Sequence, residues 1–171
     1  MSGKSSASRG EARFDTALGV CGIGWTESGV ACVRLPGDPG IDLMSPMPVN
    51  TPAWLSAAVD GIRRLLSGEP ADLTGIPVDL ATVPPFLRRV LVEARSIPAG
   101  VTETYGHLAA KVGRPGAARA VGQAMARNPV PLVVPCHRVV GASGAMCGFS
   151  AAGGVVTKRR LLDLEARASK A

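Results

Sequence analysis

Apolar positions along this chain change period several times, and each change marks an element. In residues 14–35, Cys21, Ile23 and Trp25 alternate with small or polar neighbours, as do Ala31, Val33 and Leu35. Thr26-Glu27-Ser28-Gly29 lies between them, so the pattern predicts a β-hairpin. Residues 36–51 are rich in Pro, Gly and Asp and read as a loop. Thr51 and Pro52 then open a helix as cap and first-turn proline. Its apolar stripe is Leu55, Ala58, Val59, Ile62, Leu65 and Leu66, at helical spacing, and Gly68 ends it. Residues 73–80 read as a strand. Pro84-Pro85 opens a second helix, with Phe86, Val90, Ala94 and Ile97 on one face and Arg88, Arg89 and Glu93 outside. Pro98-Ala99-Gly100 breaks it.

Beyond that break the pattern becomes helical again. Thr104 is placed to cap a short helix over 105–112, closed by Gly113. Arg114-Pro115-Gly116 turns the chain into a helix over 117–127, rich in small residues, on which Arg119 and Gln123 share a face. This is the layout of a helix-turn-helix, although any αα-hairpin shares it. Asn128-Pro129 suits a tight turn. The run Val130, Leu132, Val133, Val134 reads as a buried segment that Pro135 ends, since proline cannot continue a hydrogen-bond ladder. Residues 141–154 form a small-residue loop. A basic helix over 158–168 closes the chain, with Leu161, Leu162 and Leu164 as its buried positions. The pattern predicts an α+β protein. Its expected parts are a disordered tail at 1–12, an α/β domain with a small sheet at 13–83, and a mostly helical domain at 84–171.

Composition narrows the class. The chain has 171 residues, 46% of them apolar, which is enough for a real core. No apolar stretch approaches the ~20 residues that span a bilayer, and no secretion signal leads the chain. A cytoplasmic protein with no membrane partner is expected, or a nucleoid-associated one if bacterial. Its four cysteines are then reduced thiols rather than a disulfide framework. Charge is unevenly spread. Residues 1–84 carry six Lys and Arg against nine Asp and Glu; residues 85–171 carry thirteen against four. A basic half suggests a polyanionic partner, usually nucleic acid.

Pro135-Cys136-His137-Arg138-Val139 is the stretch with candidate chemistry. A thiol attacks as thiolate, and a neighbouring base or positive field makes the thiolate. The Cys-His pair alone reads first as a buried structural cysteine beside a capping histidine. The order of motifs around it decides. The helix-turn-helix is followed by Arg119-Ala120-Val121-Gly122. Asn128-Pro129 begins eight residues before the cysteine. Then come Phe149-Ser150, Lys158 and Leu161-Leu162 before Glu165.

This series resembles the O6-alkylguanine-DNA alkyltransferases, suicide methyl acceptors of DNA repair, densely over 97–165 and more loosely before. The resemblance implies a ribonuclease-H-like N-terminal domain and a winged-helix-like C-terminal domain. It implies a single-turnover methylated-DNA–cysteine methyltransferase that flips O6-alkylguanine, and possibly O4-alkylthymine, out of double-stranded DNA. It makes Cys136 the alkyl acceptor, His137 its polarising base through a bound water, and Glu165 the acid orienting His137. Asn128 is the hinge asparagine and Tyr105 the phenol that bonds the guanine. Ser150 lies near O6, and the carbonyls of Cys136 and Val139 accept from the exocyclic amine. Pro131 and Phe149 line the pocket. Arg119 is the wedge in the base stack, with Gln123, Arg127 and Arg138 as further DNA contacts. Taken singly, Glu165 also reads as an exposed helix charge, Tyr105 as a packing residue and Arg119 as a phosphate contact.

The chain departs from the family pattern in one loop. Phe149 stands where a tyrosine is commoner, and the stretch from Phe149 to Lys158 is two residues longer, which bears on pocket width. The zinc site of eukaryotic members needs N-terminal histidines, and the histidines here are His107 and His137. No cofactor and no metal are expected, and a monomer suffices. Two other functions use the same features: a non-catalytic sensor of alkylated DNA, whose known examples lack the cysteine, and a helix-turn-helix transcriptional regulator. A regulator needs no Cys-His-Glu set, and the 117–127 helix has few side chains for reading bases.

Overall fold

Gly10–Thr16 (β1), Gly19–Thr26 (β2) and Gly29–Arg34 (β3) form an antiparallel meander in the computed structural model, which describes residues 9–170. The expected hairpin is the second half of this meander. β1 begins inside the expected tail, because Ala12 and Phe14 alternate into the core and draw Gly10 and Glu11 into pairing with β2. Residues 1–8 of that tail lie outside the described residues. In β3 the register slips: Gly24 faces Cys32, but Trp25 faces Val30. Ala31 is the extra residue of a bulge. Val30 therefore joins Val33 and Leu35 in the core, where strict alternation put Ala31.

The stretch expected to be a loop, 36–51, contains a 3-10 turn that buries Ile41, and Ser45–Pro46 (β4), which runs parallel to β1. The sheet order is β3-β2-β1-β4. Ala53–Ser67 (α1) packs on β1 with the six buried residues that the stripe names. Its first turn differs from expectation. Pro52 is the cap residue and no side chain caps the helix, while the Thr51 hydroxyl meets Ser56 Oγ at 2.7 Å. Gly68 closes α1 in the left-handed conformation, φ 79°, which favours glycine.

Residues 73–80 do not form a strand. Leu73, Ile76 and Leu80 are buried, but at irregular spacing, and Pro77 has no N–H to give. The backbone there is held by Arg95, whose Nη2 donates to the carbonyls of Leu73, Thr74 and Ile76, and by a single parallel bridge of Val78 to Val30, in which the Val30 N–H donates to the Pro77 carbonyl and the Asp79 N–H to the Val30 carbonyl. Pro85–Ala94 (α2) buries Leu87, Val90, Leu91 and Ala94. Phe86 is only half-buried, with the Arg114 guanidinium 5.7 Å from its ring centre, and Ile97 is buried beyond the helix end.

Glu103–Thr104 (β5) leads into Tyr105–Lys111 (α3), and Ala118–Met125 (α4) packs against it. Val139–Val140 (β6) pairs parallel with β5. Gly154–Ala168 (α5) starts four residues earlier than the pattern indicates. Its buried residues are Lys158, Leu161 and Glu165, with Leu162 and Leu164 only half-covered. Positions 158, 161 and 165 share one helical face, and α5 turns that face to the Cys136–Arg138 segment. The described residues thus form a mixed α+β fold with two small sheets and five α-helices around one continuous core.

Candidate active site

Cys136 is set by two turns and an asparagine. Leu132 adopts φ 72°, an uncommon left-handed conformation for a branched residue, inside a turn closed by the Val134 N–H on the Val130 carbonyl at 2.9 Å. Pro135 (φ −80°, ψ 66°) then forms an inverse γ-turn, and the Cys136 N–H donates to the Val134 carbonyl at 2.8 Å. The expected buried segment is buried, and these turns give it its shape. Asn128, itself buried, braces both: its Nδ2 donates to the Val134 carbonyl at 2.9 Å and its Oδ1 accepts the Val130 N–H at 3.0 Å. Cys136–Arg138 is one 3-10 turn, so its three side chains project in different directions.

His137 is fully buried. Its Nε2 lies 2.7 Å from Glu165 Oε1, and its Nδ1 meets no hydrogen-bond partner among the described residues. Arg138 also turns inward. Its Nη2 donates to Glu165 Oε1 at 2.7 Å, its Nε reaches both carboxylate oxygens at 3.1 Å, and its Nη1 holds the Ile97 carbonyl at 2.5 Å. Arg138 was expected to contact DNA. At 7% exposure its guanidinium is committed to the interior, because Glu165 is there to pair it. The Gly100 N–H adds a fourth donor to Glu165.

Lys158 has the largest role that sequence reasoning missed. It is completely buried, and its Nζ donates to the carbonyls of Val139 (2.5 Å), Cys147 (3.0 Å) and Gly148 (3.4 Å), and to the Tyr105 hydroxyl (3.2 Å). The Val139 carbonyl, expected to meet the guanine amine, thus already has a donor. The only signal for Lys158 was its place after the Phe-Ser loop, one helical turn before Leu161-Leu162.

A pocket of about 690 Å3 opens between α3, α4 and the 141–150 loop. It brings together Tyr105, Arg119, Cys136, Phe149 and Ser150 of the expected residues. Pro131 and Val139 are buried outside its lining, while Gln123 and Arg127 are exposed on and just beyond α4. Thr104 caps α3 as expected, accepting the His107 N–H at 3.1 Å.

Burial pushes the Cys136 thiol up, against the opposing pull of the Asn128 amide and the Lys158 charge. Burial lowers His137, and Glu165 works the other way. Burial also raises Tyr105, to about 12, so its hydroxyl stays a donor. Glu165 is the exception: burial would raise it, but hydrogen bonds from His137 and Arg138 hold it at about 2. The resting site is therefore a neutral thiol and a neutral imidazole beside a fixed carboxylate. Among the described residues, no group of three or more His, Cys, Asp and Glu side chains is placed to hold a metal.

Residues 85–167 match the family profile described as the DNA-binding domain of 6-O-methylguanine DNA methyltransferase. The methylated-DNA–protein-cysteine methyltransferase of Mycolicibacterium paratuberculosis is 44% identical over 122 residues, 71% of this chain and 72% of the relative. The crystal structure of Mycobacterium tuberculosis OGT in complex with DNA superimposes with a TM-score of 0.78 at 36% identity, covering 92% of this chain and 94% of that one. An O6-methylguanine-DNA methyltransferase from the archaeon Pyrococcus kodakaraensis gives 0.62 at 27% identity, over 91% and 97%. This chain belongs to the O6-methylguanine DNA methyltransferase family.

Proposed function

We propose that this protein repairs O6-alkylguanine in double-stranded DNA by moving the alkyl group irreversibly onto its own Cys136. One observation carries the reading: Cys136 lines the pocket while its neighbour His137 is bonded to Glu165 in the interior behind it. The target atom lies inside a duplex, so the base must leave the stack to reach that pocket. Arg119, exposed on α4 and at the pocket rim, holds the gap. Gln123, Arg127 and the basic surface of residues 85–171 hold the backbone.

The thiol proton passes to His137 Nδ1, directly or through water, and Glu165 stabilises the imidazolium. The sulfur attacks the alkyl carbon in line with the carbon–oxygen bond, which breaks. Its electron pair stays on guanine, which takes a proton; Tyr105 is the donor, assisted by Lys158, and the proton held by His137 restores the balance. Phe149 and Ser150 face the alkyl group and O6. Arg138 serves as the counterion that keeps Glu165 charged. The thioether formed is a very poor leaving group, so each chain reacts once.

We read residues 13–83 as a ribonuclease-H-like domain and 84–171 as a winged-helix-like domain that carries both DNA binding and the acceptor. The small β5–β6 sheet beside α3 and α4 supports the second assignment. The acceptor set lies within one copy, which favours a monomer working where the cell keeps its DNA. Cys136→Ser tests the reading: transfer from methylated duplex is expected to vanish while affinity for plain duplex persists. Parallel loss of both counts against Cys136 as a dedicated nucleophile.

A further inference from the structure

The loop that carries Phe149 and Ser150 is held at both ends. At its start, the buried Lys158 ammonium grips the carbonyls of Cys147 and Gly148. At its end, Ala152 is held twice. Its carbonyl accepts from Thr157 Oγ1 at 2.7 Å, and its N–H donates to Asp38 Oδ1 at 2.7 Å. Asp38 comes from the other half of the chain, in the turn after β3. There its Oδ2 accepts the Leu35 N–H at 2.7 Å, and its own N–H meets the Leu35 carbonyl at 3.0 Å. The carboxylate is thus fixed in its own turn, with Oδ1 left to reach across. The two segments also touch: a Cβ added to Gly37 would stand 3.1 Å from the Ala152 Cβ.

We propose that Asp38 is a positioning residue that sets the width of the alkyl pocket from the N-terminal half of the chain. The inference rests on the reading of Cys136 as acceptor. Ala152 stands two residues beyond Ser150, so a bond at Ala152 restrains the pocket-lining pair at close range. Phe149 and Ser150 sit between the Lys158 grip and the Asp38 grip, and both line the pocket. Removing the Asp38 bond leaves Ala152 held through its carbonyl alone, by Thr157, and so loosens one end of their segment while leaving Cys136, His137 and Glu165 untouched. A bulky alkyl group spends more of its contacts on that loop than a methyl group does. Its transfer is therefore the one that suffers.

Two substitutions remove the same bond from opposite sides. Asp38→Ala deletes the acceptor. Ala152→Pro deletes the donor at a position that accepts proline: the Gly154 N–H meets the Ala151 carbonyl at 3.0 Å, and Gly153 has φ 82° and ψ −7°. That is the pattern of a type II turn with Ala152 at its second position, where proline is favoured. The measurement is single-turnover transfer from duplexes carrying O6-methylguanine or O6-benzylguanine, with the adduct mapped to its peptide. Both variants are expected to slow benzyl transfer by about tenfold and methyl transfer much less, so the benzyl-to-methyl ratio falls. Affinity for unmodified duplex is expected to stay the same. A ratio unchanged or raised in either variant overturns the proposal, since mere loss of stability slows both substrates alike. The unsubstituted protein reports separately on the acceptor, through the presence or absence of the adduct on Cys136.

Discussion

His137 Nε2 and Glu165 Oε1 are 2.7 Å apart in a pair sealed from solvent, and Arg138 shares the same carboxylate. One carboxylate therefore serves two partners, each for a different end. Arg138 keeps Glu165 ionised, and the ionised Glu165 is what makes His137 able to hold a proton. Consequences for stability and for catalysis follow from this sharing.

Acid should destabilise the protein through this pair. The folded-state value of Glu165 is about 2 against an ordinary 4.5, held down by His137 and Arg138 despite burial. A depressed carboxyl stabilises fully above its unfolded value and loses the contribution as pH falls from 4.5 toward 2. The shift corresponds to about 3 kcal/mol. His137, lowered by burial, acts in the same direction, starting near its ordinary 6.5. Denaturant unfolding from neutral to about pH 3 is expected to show falling stability, with a shallower slope at the acid end in Glu165→Gln. A slope identical in that variant contradicts the assignment.

Lys158→Met should show what a buried ammonium does here. Methionine matches the stem but leaves the carbonyls of Val139, Cys147 and Gly148 without their donor. A loss of about 2–4 kcal/mol in unfolding free energy is expected, together with slower transfer because Tyr105 loses its partner. Unchanged stability would mean that those carbonyls find water and that the lysine is not a structural clamp.

How much of this was legible in the sequence depends on what each residue answers to. The α1 stripe was read in full because burial there follows one helical period. The 73–80 run has the apolar content of a strand, but only Val78 pairs, with Val30, while Arg95 holds the carbonyls before it, and nothing local announces that. The bulge at Ala31 shifts a face by one residue, which alternation cannot express. At the site, the pocket brings Tyr105, Arg119, Cys136, Phe149 and Ser150 together as expected. Arg138 was misplaced and Lys158 overlooked for a common reason. A cationic side chain reads as surface unless its buried partners are known, and these partners lie 27 residues away at Glu165 and 19 away at Val139.

Arg119→Ala should separate flipping from chemistry. Arg119 lines the pocket and is exposed on α4, and the hydrogen bonds that hold Glu165 come from His137, Arg138 and Gly100. Repair of methylated duplex is expected to slow far more than reaction with free O6-benzylguanine, because a free base has no stack to leave. Single-turnover rates on both substrates check this. Equal slowing on both removes the wedge role.

Binding to undamaged duplex should weaken steeply with salt and vary little with sequence. Phosphate contacts release counterions, and α4 offers few polar side chains to base edges. Titrations at several salt concentrations on unrelated duplexes measure both properties. A strongly preferred undamaged sequence would point to a regulator.

The central claim is that Cys136 is the acceptor and is used once. Excess methylated duplex is titrated against the full chain, and the intact mass and the peptide map are followed. The account predicts a plateau at one methyl per chain, on the peptide holding Cys136. Continued turnover, or a methyl on Cys21, Cys32 or Cys147 in place of Cys136, would contradict it.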